Sequence, residues 1–414
     1  MSNAEPSRCS WLMGSKAFDK RMPHHDGIKY LWELSWKAAC AKSVYPFHEG
    51  RLEDFEPIFL HLIDHNIDDA TSTEYTNAFF KAAETLEYRG DEFKSAGDTS
   101  KASELYLRAS TIYRIARFPF ISGFPTATCA TKWRAWEAQK KVYLKATALW
   151  ESTIKEILVQ HSHRKGQDRD EIPIFVRFPS KVDKAQKCPV VILLTGLDGY
   201  RPDFTAQFQA FHARGWATIA VEIPGTADSP ADPSDPDSAD RTWTSLLDWM
   251  TQDGSFDMNN VVAWGLSTGG YYGARIAHTH STQLRGCIAQ GMGCHDFFDA
   301  EWLSKIEDHE YPFELLPHLA KKHGYDSVDE YKKHAKHKFS LVESGILNKP
   351  STRLLLLNGL QDGLMPIEDS MLLFNYGNPK EARFFPGTQH MGGHLAVPAA
   401  YAWIERVMVE KINT

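Results

Sequence analysis

The chain has 414 residues, of which 43% are hydrophobic, so it is long enough for two or three domains or for one large domain with an appendage. Its charges are mixed, with a formal net charge of -7 and no basic block, which argues against a nucleic-acid surface and against electrostatic binding to a membrane. No run approaches about 20 consecutive apolar residues, so no integral membrane segment is expected.

The cysteines and the start of the chain predict its compartment. Six cysteines are scattered without a CxxC pair, which indicates buried, reduced thiols rather than a disulfide framework. The opening "MSNAEPSRCSWLMGSKAF" lacks the apolar core of a signal peptide. We therefore expect a cytoplasmic protein, and association with vesicles is left open.

Residues 1–165 are predicted to form a helical domain. In "SKASELYLRASTIYRIARF", apolar residues recur at spacings of four, three and four along one helical face. They are Leu105, Ala109, Ile112 and Ala116. A second helix is predicted over "TKWRAWEAQKKVYLKATALW", whose tryptophans belong either to the core or to the wall of an aromatic substrate pocket.

Residues 166–414 are predicted to form an α/β catalytic domain. Short β-rich runs alternate here with helical stretches: "PIFVRF", "PVVILLTG", "ATIAVEIPG", "VVAWG", "GCIAQG", "RLLLLNG" and "ARFFPG". Many runs are continuously apolar, which is typical of parallel strands covered on both faces by helices. A helical insert at about 295–350 is too long for a simple crossover, and we interpret it as a lid over the strand ends.

The stretch "VVAWGLSTGG" places Ser267 between Gly265 and Gly269, after an apolar strand and before a helix. This is the G-x-S-x-G pattern of a nucleophile elbow, in which a tight turn exposes a serine hydroxyl. Glycines two residues away remove side chains that would clash with neighbouring segments. The N–H of Thr268 at the helix start is predicted to face a developing oxyanion.

A serine nucleophile needs a base, and the elbow predicts an acid and then a histidine on loops after later strands. Asp362 follows the strand "RLLLLNG", and His390 follows "ARFFPG". His390 would take the serine proton, and Asp362 would orient the imidazole. His394 competes with His390, and Glu368 and Asp369 compete weakly with Asp362 because they are expected to begin a helix.

The second oxyanion donor is predicted in the loop after an earlier strand. In "VILLTGLDGY", Gly196 and Gly199 bracket Leu197 and Asp198, and a backbone N–H from either residue is a candidate. A plain glycine turn is the alternative for each of them.

Several longer stretches carry a family resemblance. "GLSTGGYYGARIAHTH", "HDFFDAEWL", "HEYPFELLPHLAKKHGY", "KPSTRLLLLNGLQDGLMPIEDSMLLFNYG" and "KEARFF" resemble the fungal yellowish-green pigment proteins, which are polyketide chain-shortening hydrolases of dihydroxynaphthalene-melanin biosynthesis. FrsA-like esterases and a nicotine-pathway carbon–carbon hydrolase are wider relatives of that family. The resemblance extends from the elbow into the lid.

The resemblance implies an α/β-hydrolase fold with a parallel-rich sheet, a helical N-terminal domain that covers the active site and a helical lid. It implies that Ser267, Asp362 and His390 form the triad. The implied reaction shortens an aromatic polyketide, a heptaketide naphthopyrone, to 1,3,6,8-tetrahydroxynaphthalene by removing an acetoacetyl unit, as a step of pigment biosynthesis. No metal or organic cofactor is expected, and a homodimer is implied by the family alone.

Two other functions are compatible with the same residues. A carboxylesterase or deacetylase would use the same triad, so product analysis alone separates it from a carbon–carbon hydrolase. A binding protein that keeps the fold as a receptor is disfavoured by an intact triad.

Overall fold

The computed structural model describes residues 11–180 and 187–410. The start of the chain, including Cys9, lies outside the described residues. The five cysteines within them are all free, in agreement with the predicted absence of a disulfide framework there.

A single sheet of eight strands forms the centre of the described structure. Its strands are β1 Lys155–Gln160, β2 Glu171–Arg177, β3 Cys188–Leu194, β4 Ala217–Val221, β5 Phe256–Leu266, β6 Gly286–Gln290, β7 Leu354–Gly359 and β8 Glu381–Phe385. The order is β1-β2-β4-β3-β5-β6-β7-β8. The first two strands pair antiparallel to their neighbours, and all pairs from β4 to β8 are parallel. This arrangement confirms the predicted α/β fold.

The buried strands were predictable from the sequence, whereas the exposed edge strand was not. β3 ("CPVVILL") and β7 ("LLLLNG") are buried along almost their whole length because helices cover both faces of the sheet. β1 ("KEILVQ") is the outermost strand and is mostly exposed, so it lacks a continuous apolar run. The predicted boundary at 165/166 therefore falls too late for the sheet, since β1 precedes it and pairs with β2 along its length.

Helices surround the sheet and form the N-terminal region of the described chain. The α-helices are α1 Ser15–Phe18, α2 Ile28–Leu31, α3 Lys37–Ala41, α4 Leu52–Asp64, α5 Thr73–Ala78, α6 Phe80–Ser95, α7 Thr99–Arg117, α8 Ala130–Thr147, α9 Thr205–Ala213, α10 Ser238–Asp253, α11 Thr268–Thr279, α12 Ala300–Lys305, α13 Leu316–Lys322, α14 Val328–Phe339, α15 Ile367–Leu372 and α16 Gly393–Val409. A π-helical turn, Trp32–Trp36, joins α2 to α3. None of the described helices is both long and apolar enough to span a bilayer.

Helix α7 is the central element of the N-terminal helical region. It begins at Thr99, and the carboxylate of the preceding residue, Asp98, accepts the N–H of Lys101 at 2.9 Å and so caps the helix. The predicted apolar face is buried, but so is most of the opposite face, including Arg108, Arg114 and Arg117. A helix buried on all sides is an internal element rather than a surface helix.

The insert between β6 and β7 carries α12, α13 and α14, in agreement with the helical insert predicted at about 295–350. We keep the name lid for it, and its covering of the strand ends stays a prediction. It packs against the helical region rather than standing free. The ring of Tyr311 stacks on Phe118 with centroids 5.9 Å apart, and the ring of Phe313 meets Trp36 edge-on at 5.5 Å. The lid and the helical region are thus joined by aromatic contacts. Stacked and edge-on arrangements of this kind are the ones that aromatic pairs prefer.

Candidate active site

Ser267 occupies the sharp turn between β5 and α11. Its backbone has φ 58 and ψ -126, a left-handed conformation that costs a residue other than glycine about 1–3 kcal/mol. The surrounding structure imposes this conformation, because β5 lies between β3 and β6 in the middle of the sheet. The turn lifts the hydroxyl above the strand end and beside the first N–H groups of α11.

The glycines on either side are required by close approach of backbone segments. A Cβ added to Gly265 would lie 2.2 Å from the carbonyl oxygen of Gly269. A Cβ added to Gly269 would lie 2.1 Å from the carbonyl oxygen of Thr195. Both clashes are with backbone, which cannot rotate aside as a side chain can. The elbow is therefore built by omitting side chains at these two positions.

The structure brings Ser267, His390 and Asp362 into one hydrogen-bonded chain. His390 Nε2 lies 2.8 Å from Ser267 Oγ, and His390 Nδ1 lies 2.8 Å from Asp362 Oδ2. These distances suit proton transfer from serine to imidazole. Burial by itself lowers the pKa of His390, but the charge and hydrogen bond of Asp362 and the charge of Glu310 outweigh burial and raise it.

Asp362 is fixed by its own loop after β7. Its Oδ1 accepts the backbone N–H groups of Leu364 at 2.8 Å and Met365 at 2.9 Å. Its Oδ2 accepts the side-chain amide of Asn358 at 2.8 Å and the imidazole N–H of His390. The carboxylate is fully buried, so these donors replace the water that it has lost.

The competing residues lie elsewhere. His394 is exposed on α16, one turn beyond the histidine that bonds the serine. Asp369 is buried and accepts backbone N–H groups at the start of the lid insert, including those of His295 at 2.9 Å and Asp296 at 2.7 Å. It anchors the lid rather than the imidazole. Glu368 accepts the backbone N–H of Leu12.

The three predicted oxyanion donors lie at the start of α11 and in the loop after β3. Thr268 is the first residue of α11, where an α-helix leaves the N–H without a partner inside the helix. A Cβ added to Gly196 would lie 3.5 Å from Ser267 Cβ and 4.0 Å from Ser267 Oγ, so the 196–198 loop passes directly beside the serine. In the part of the chain that the structure describes, the N–H groups of Leu197 and Asp198 are paired with no acceptor.

The side chain of Asp198 is bonded to the helical region and is not available to the oxyanion site. Its Oδ2 accepts the hydroxyl of Tyr45 at 2.8 Å, and its Oδ1 lies 3.6 Å from Arg114 Nη2. Burial raises the pKa of this carboxyl, although the charge of Arg114 opposes that shift. Any contribution of Asp198 to an oxyanion site would thus come from its N–H.

Glu310 is a further acid at the site, and sequence reasoning assigned it no role. Its Oε1 accepts the backbone N–H groups of Gly363 and His390, each at 3.1 Å, so one lid carboxyl ties together the loops that carry the acid and the base. Burial, followed by the charge of Asp362, raises the pKa of Glu310 to about 7. The family-like stretch "HEYPFELLPHLAKKHGY" contains this residue and was the only signal that could have pointed to it.

The described ranges 11–180 and 187–410 contain no ready-made metal site. No three or more His, Cys, Asp or Glu side chains stand together there in a way that could hold a metal ion. The acids of the site are already engaged, Asp362 with an imidazole and backbone N–H groups and Glu310 with two backbone N–H groups.

Comparison with known families places this geometry in context. A model described as "Esterase FrsA-like" matches residues 82–409, which include the whole sheet, the lid and the two longest helices of the N-terminal region. The chain belongs to the FrsA-like esterase family. This FrsA-like protein is accordingly a hydrolase, as the sequence predicted at that level.

Individual relatives of the FrsA-like chain are distant. Esterase FrsA of Photobacterium profundum is 23% identical over 325 residues, covering 77% of this chain and 73% of that protein. Hydrolase acrC of Aspergillus aculeatus is 26% identical over 248 residues, covering 56% of each chain.

Solved structures establish the fold. The 2,6-dihydroxy-pseudo-oxynicotine hydrolase superposes with a TM-score of 0.64 at 17% identity, covering 81% of this chain and 89% of that one. AbyA5 superposes with a TM-score of 0.59 at 18% identity, covering 78% and 86%. The FrsA-like chain thus has the α/β-hydrolase fold that the sequence predicted.

Proposed function

We propose that this protein is a serine hydrolase that shortens a heptaketide naphthopyrone to 1,3,6,8-tetrahydroxynaphthalene by hydrolysing a carbon–carbon bond. The observation that carries serine hydrolysis is the pair of 2.8 Å contacts that link Ser267 Oγ through His390 to Asp362. The polyketide and the carbon–carbon bond rest on the resemblance to the pigment-family hydrolases. The match to a fungal hydrolase, acrC, supports that choice within the FrsA-like family.

The first step forms an acyl-enzyme precursor. Ser267 Oγ attacks the side-chain ketone while His390 Nε2 takes its proton, and Asp362 stabilises the resulting imidazolium. The ketone oxygen becomes an oxyanion and accepts the N–H of Thr268 and an N–H of the 196–198 loop.

The second step breaks the carbon–carbon bond. Collapse of the oxyanion expels a ring carbon with its electron pair, which the electron-rich phenolic ring delocalises. His390 Nε2 returns the proton to that carbon, which leaves an acetoacetyl ester on Ser267. Water then attacks the ester, giving its proton to His390, and collapse releases acetoacetate and restores the serine hydroxyl.

Aromatic side chains lie where the lid meets the helical region. The ring of Tyr311 stacks on Phe118, and its neighbour Glu310 bonds the backbone of His390. Aromatic walls bind aromatic rings and exclude water, which strengthens every electrostatic contact inside. Trp136 meets Tyr200 edge-on at 5.5 Å, so this part of α8 packs in the core.

A carboxylesterase or deacetylase is the second candidate, because the family model is that of esterases. It would use Ser267, His390 and Asp362 in the same order, with an alkoxide rather than a carbon as the leaving group. A receptor without turnover is the third candidate, and it would require that the triad be unused.

Product analysis separates these candidates. Purified protein would be incubated with the heptaketide naphthopyrone beside Ser267→Ala, with His394→Ala as the matched control, and the products would be identified by mass spectrometry. We expect tetrahydroxynaphthalene and a C4 acid from the wild type and from His394→Ala, and neither from Ser267→Ala. Unchanged naphthopyrone with serine-dependent turnover of aryl acetates would instead establish an esterase, and no turnover of either would favour a receptor.

Assembly and location stay predictions. We propose a homodimer, which light scattering of the purified chain would test. We propose a cytoplasmic location, with vesicle association as the alternative that imaging of a tagged chain in its host would detect.

A further inference from the structure

The loop between β3 and α9, residues 195–203, lies between the nucleophile and the helical region. A Cβ added to Gly196 would lie 3.5 Å from Ser267 Cβ, whereas a Cβ added to Gly199 would find Arg114 Nη2 at 3.8 Å. The N–H of Gly196 donates to the carbonyl of Gly199 at 3.1 Å, which closes the loop into a tight turn. One side of the loop therefore meets the serine, and the other side meets α7.

Arg117 at the end of α7 grips this loop and is itself completely buried. Its Nη1 donates to the backbone carbonyl of Asp198 at 2.7 Å, and its Nη2 donates to Asp203 Oδ2 at 2.7 Å. Its Nε donates to Gln139 Oε1 at 2.6 Å, and its guanidinium lies 4.0 Å from the ring centroid of Tyr200. A buried guanidinium with every edge engaged has one orientation, because losing a partner would leave a charge without compensation.

These contacts fix the direction of the loop's peptide groups. The hydroxyl of Tyr200 donates to the carbonyl of Leu197 at 2.9 Å and accepts the N–H of Ile121, so it lies on the side of the helical region. In a planar trans peptide the N–H points opposite to the carbonyl. The bond from Tyr200 to the carbonyl of Leu197 therefore turns the N–H of Asp198 away from the helical region, and the bond from Arg117 to the carbonyl of Asp198 does the same for the N–H of Gly199.

We propose that Arg117 is a positioning residue for the oxyanion: from the helical region it holds the carbonyl of Asp198 and the ring of Tyr200, so that the N–H of Asp198 stays aimed at the oxygen that becomes charged on attack by Ser267. The inference rests on the proposed serine hydrolysis, which is what creates that oxyanion. Donors that are already oriented stabilise the transition state without reorganising during the reaction. The helical region would then be part of the catalytic apparatus as well as a cover over it.

Helix α7 supplies a matched control. Arg108 lies on the same helix, is also buried and also carries acidic partners, with Nη2 2.6 Å from Asp54 Oδ1 and Nε 2.9 Å from Asp54 Oδ2. Its partners, however, belong to α4 and to α7 itself and not to the oxyanion loop. Arg108→Met should thus reproduce the loss of a buried ion pair without disturbing the 195–203 loop.

The affinities of two matched ketones measure the stabilisation that the oxyanion site provides. An aryl trifluoromethyl ketone is attacked by the serine and held as a tetrahedral oxyanion, whereas the matching methyl ketone binds without that charge. We expect Arg117→Met to weaken the affinity for the trifluoromethyl ketone by about 10- to 100-fold, because a displaced donor loses much of its value. For the same variant, the affinity for the methyl ketone and the KM for an aryl ester should each change by less than about 3-fold. The loss of activity on that ester should appear in kcat.

The controls decide the outcome. Arg108→Met should bind both ketones as the wild type does, even if it unfolds at a lower temperature. Equal weakening of both ketones in Arg117→Met, or no more weakening than in Arg108→Met, would overturn the proposal. If Arg117→Met does not fold, Arg117→Lys decides, since a lysine ammonium cannot hold Asp203 and the Asp198 carbonyl with the same fork geometry. Its selectivity for the trifluoromethyl ketone must fall, and an unchanged selectivity would overturn the proposal.

Failure of the underlying function would look different. A wild-type protein that does not prefer the trifluoromethyl ketone, and that binds it equally well as Ser267→Ala, would contradict serine hydrolysis itself. The proposal on Arg117 fails alone when the wild type shows that preference and the Arg117 variants keep it.

Discussion

At the scale of single residues, two carboxylates bond to His390, and a third, Asp198, raises the pKa of its imidazole by charge alone. Asp362 contacts Nδ1 directly, whereas Glu310 reaches the same residue through its backbone N–H from the lid. Both negative charges favour the protonated imidazole, and both contribute to the raised pKa of His390. The pKa of His390 is thus raised by Asp362 at its own sheet edge, by Glu310 of the lid and by Asp198 of the loop after β3.

Replacing Glu310 by Gln should move the pH profile. The imidazole must be neutral to accept the serine proton, so kcat/KM rises with pH through the pKa of His390. Above its own pKa of about 7 Glu310 carries a charge that raises the pKa of His390, and Glu310→Gln removes that charge. The acid limb should therefore move to lower pH in kcat/KM measured on an aryl ester. Glu314→Gln changes an exposed lid carboxylate that does not contribute to the raised pKa of His390, and it should leave the limb in place. A limb that moves to higher pH would contradict this assignment.

The triad itself predicts a sharper pattern. Ser267→Ala and His390→Ala should each lower kcat by at least about a thousandfold, because groups that act as one unit lose nearly all of their effect together. The midpoint of thermal unfolding should change little in Ser267→Ala, since the hydroxyl packs against little besides the imidazole. His394→Ala should keep wild-type kcat, and a dead His394 variant would show that the base had been misassigned.

At the scale of elements, the turn from β5 to α11 is held by the closeness of backbone segments. The oxygens that approach Gly265 and Gly269 belong to α11 and to the end of β3. Three elements therefore meet at distances that leave no room for a methyl group. Packing of this kind makes the elbow rigid without any side-chain contact.

Gly265→Ala should consequently destabilise the fold as well as the site. Its Cβ would lie 2.2 Å from a backbone oxygen, so β5 and α11 must separate, and overpacking of this kind costs about 1–3 kcal/mol or more. Urea unfolding would measure the loss. Gly199→Ala is the comparison, because its nearest neighbour is 3.8 Å away, and it should change the free energy of unfolding by less than about 0.5 kcal/mol. Similar losses in both variants would contradict the steric argument.

The same elements show what the sequence could and could not reveal. The elbow, Asp362 and His390 were predictable, because each is written in a short local pattern at the end of an apolar strand. β1 was missed because an edge strand does not need a continuous apolar run. Glu310 was missed because it meets the backbone of His390 from 80 residues away along the chain, a contact with no local signature.

At the scale of the whole molecule, buried charges cross from the helical region to the hydrolase sheet. Arg117 and Arg114 of α7 reach Asp203 at 2.7 and 3.4 Å, and Lys140 of α8 reaches Asp228 at 3.0 Å. Separating the two parts would expose these groups without their partners. Buried pairs of this kind are costly to break from one side, by about 3–5 kcal/mol.

We therefore expect the described chain to unfold as one unit. Ellipticity at 222 nm, which is dominated by helices, tryptophan fluorescence and residual esterase activity should lose half of their amplitude at the same urea concentration. Activity lost well before ellipticity would show that the sheet and the helical region unfold separately. The Arg108→Met variant would serve as the reference, because its lost ion pair lies within the helical region alone.

The hydrogen bonds between α7 and the 195–203 loop also constrain how such a protein can evolve. Recombination between distant relatives usually exchanges segments at places where few contacts cross. Here a crossover between α8 and β1 would combine Arg117 of one parent with the 195–203 loop of the other. The guanidinium of one parent would then meet the Asp198 carbonyl and the Asp203 carboxylate of the other, beside the proposed oxyanion site. Chimaeras that inherit Arg117 and the loop together should keep turnover, whereas those that divide them should fold poorly or lose it, so these two segments are expected to be inherited as a pair.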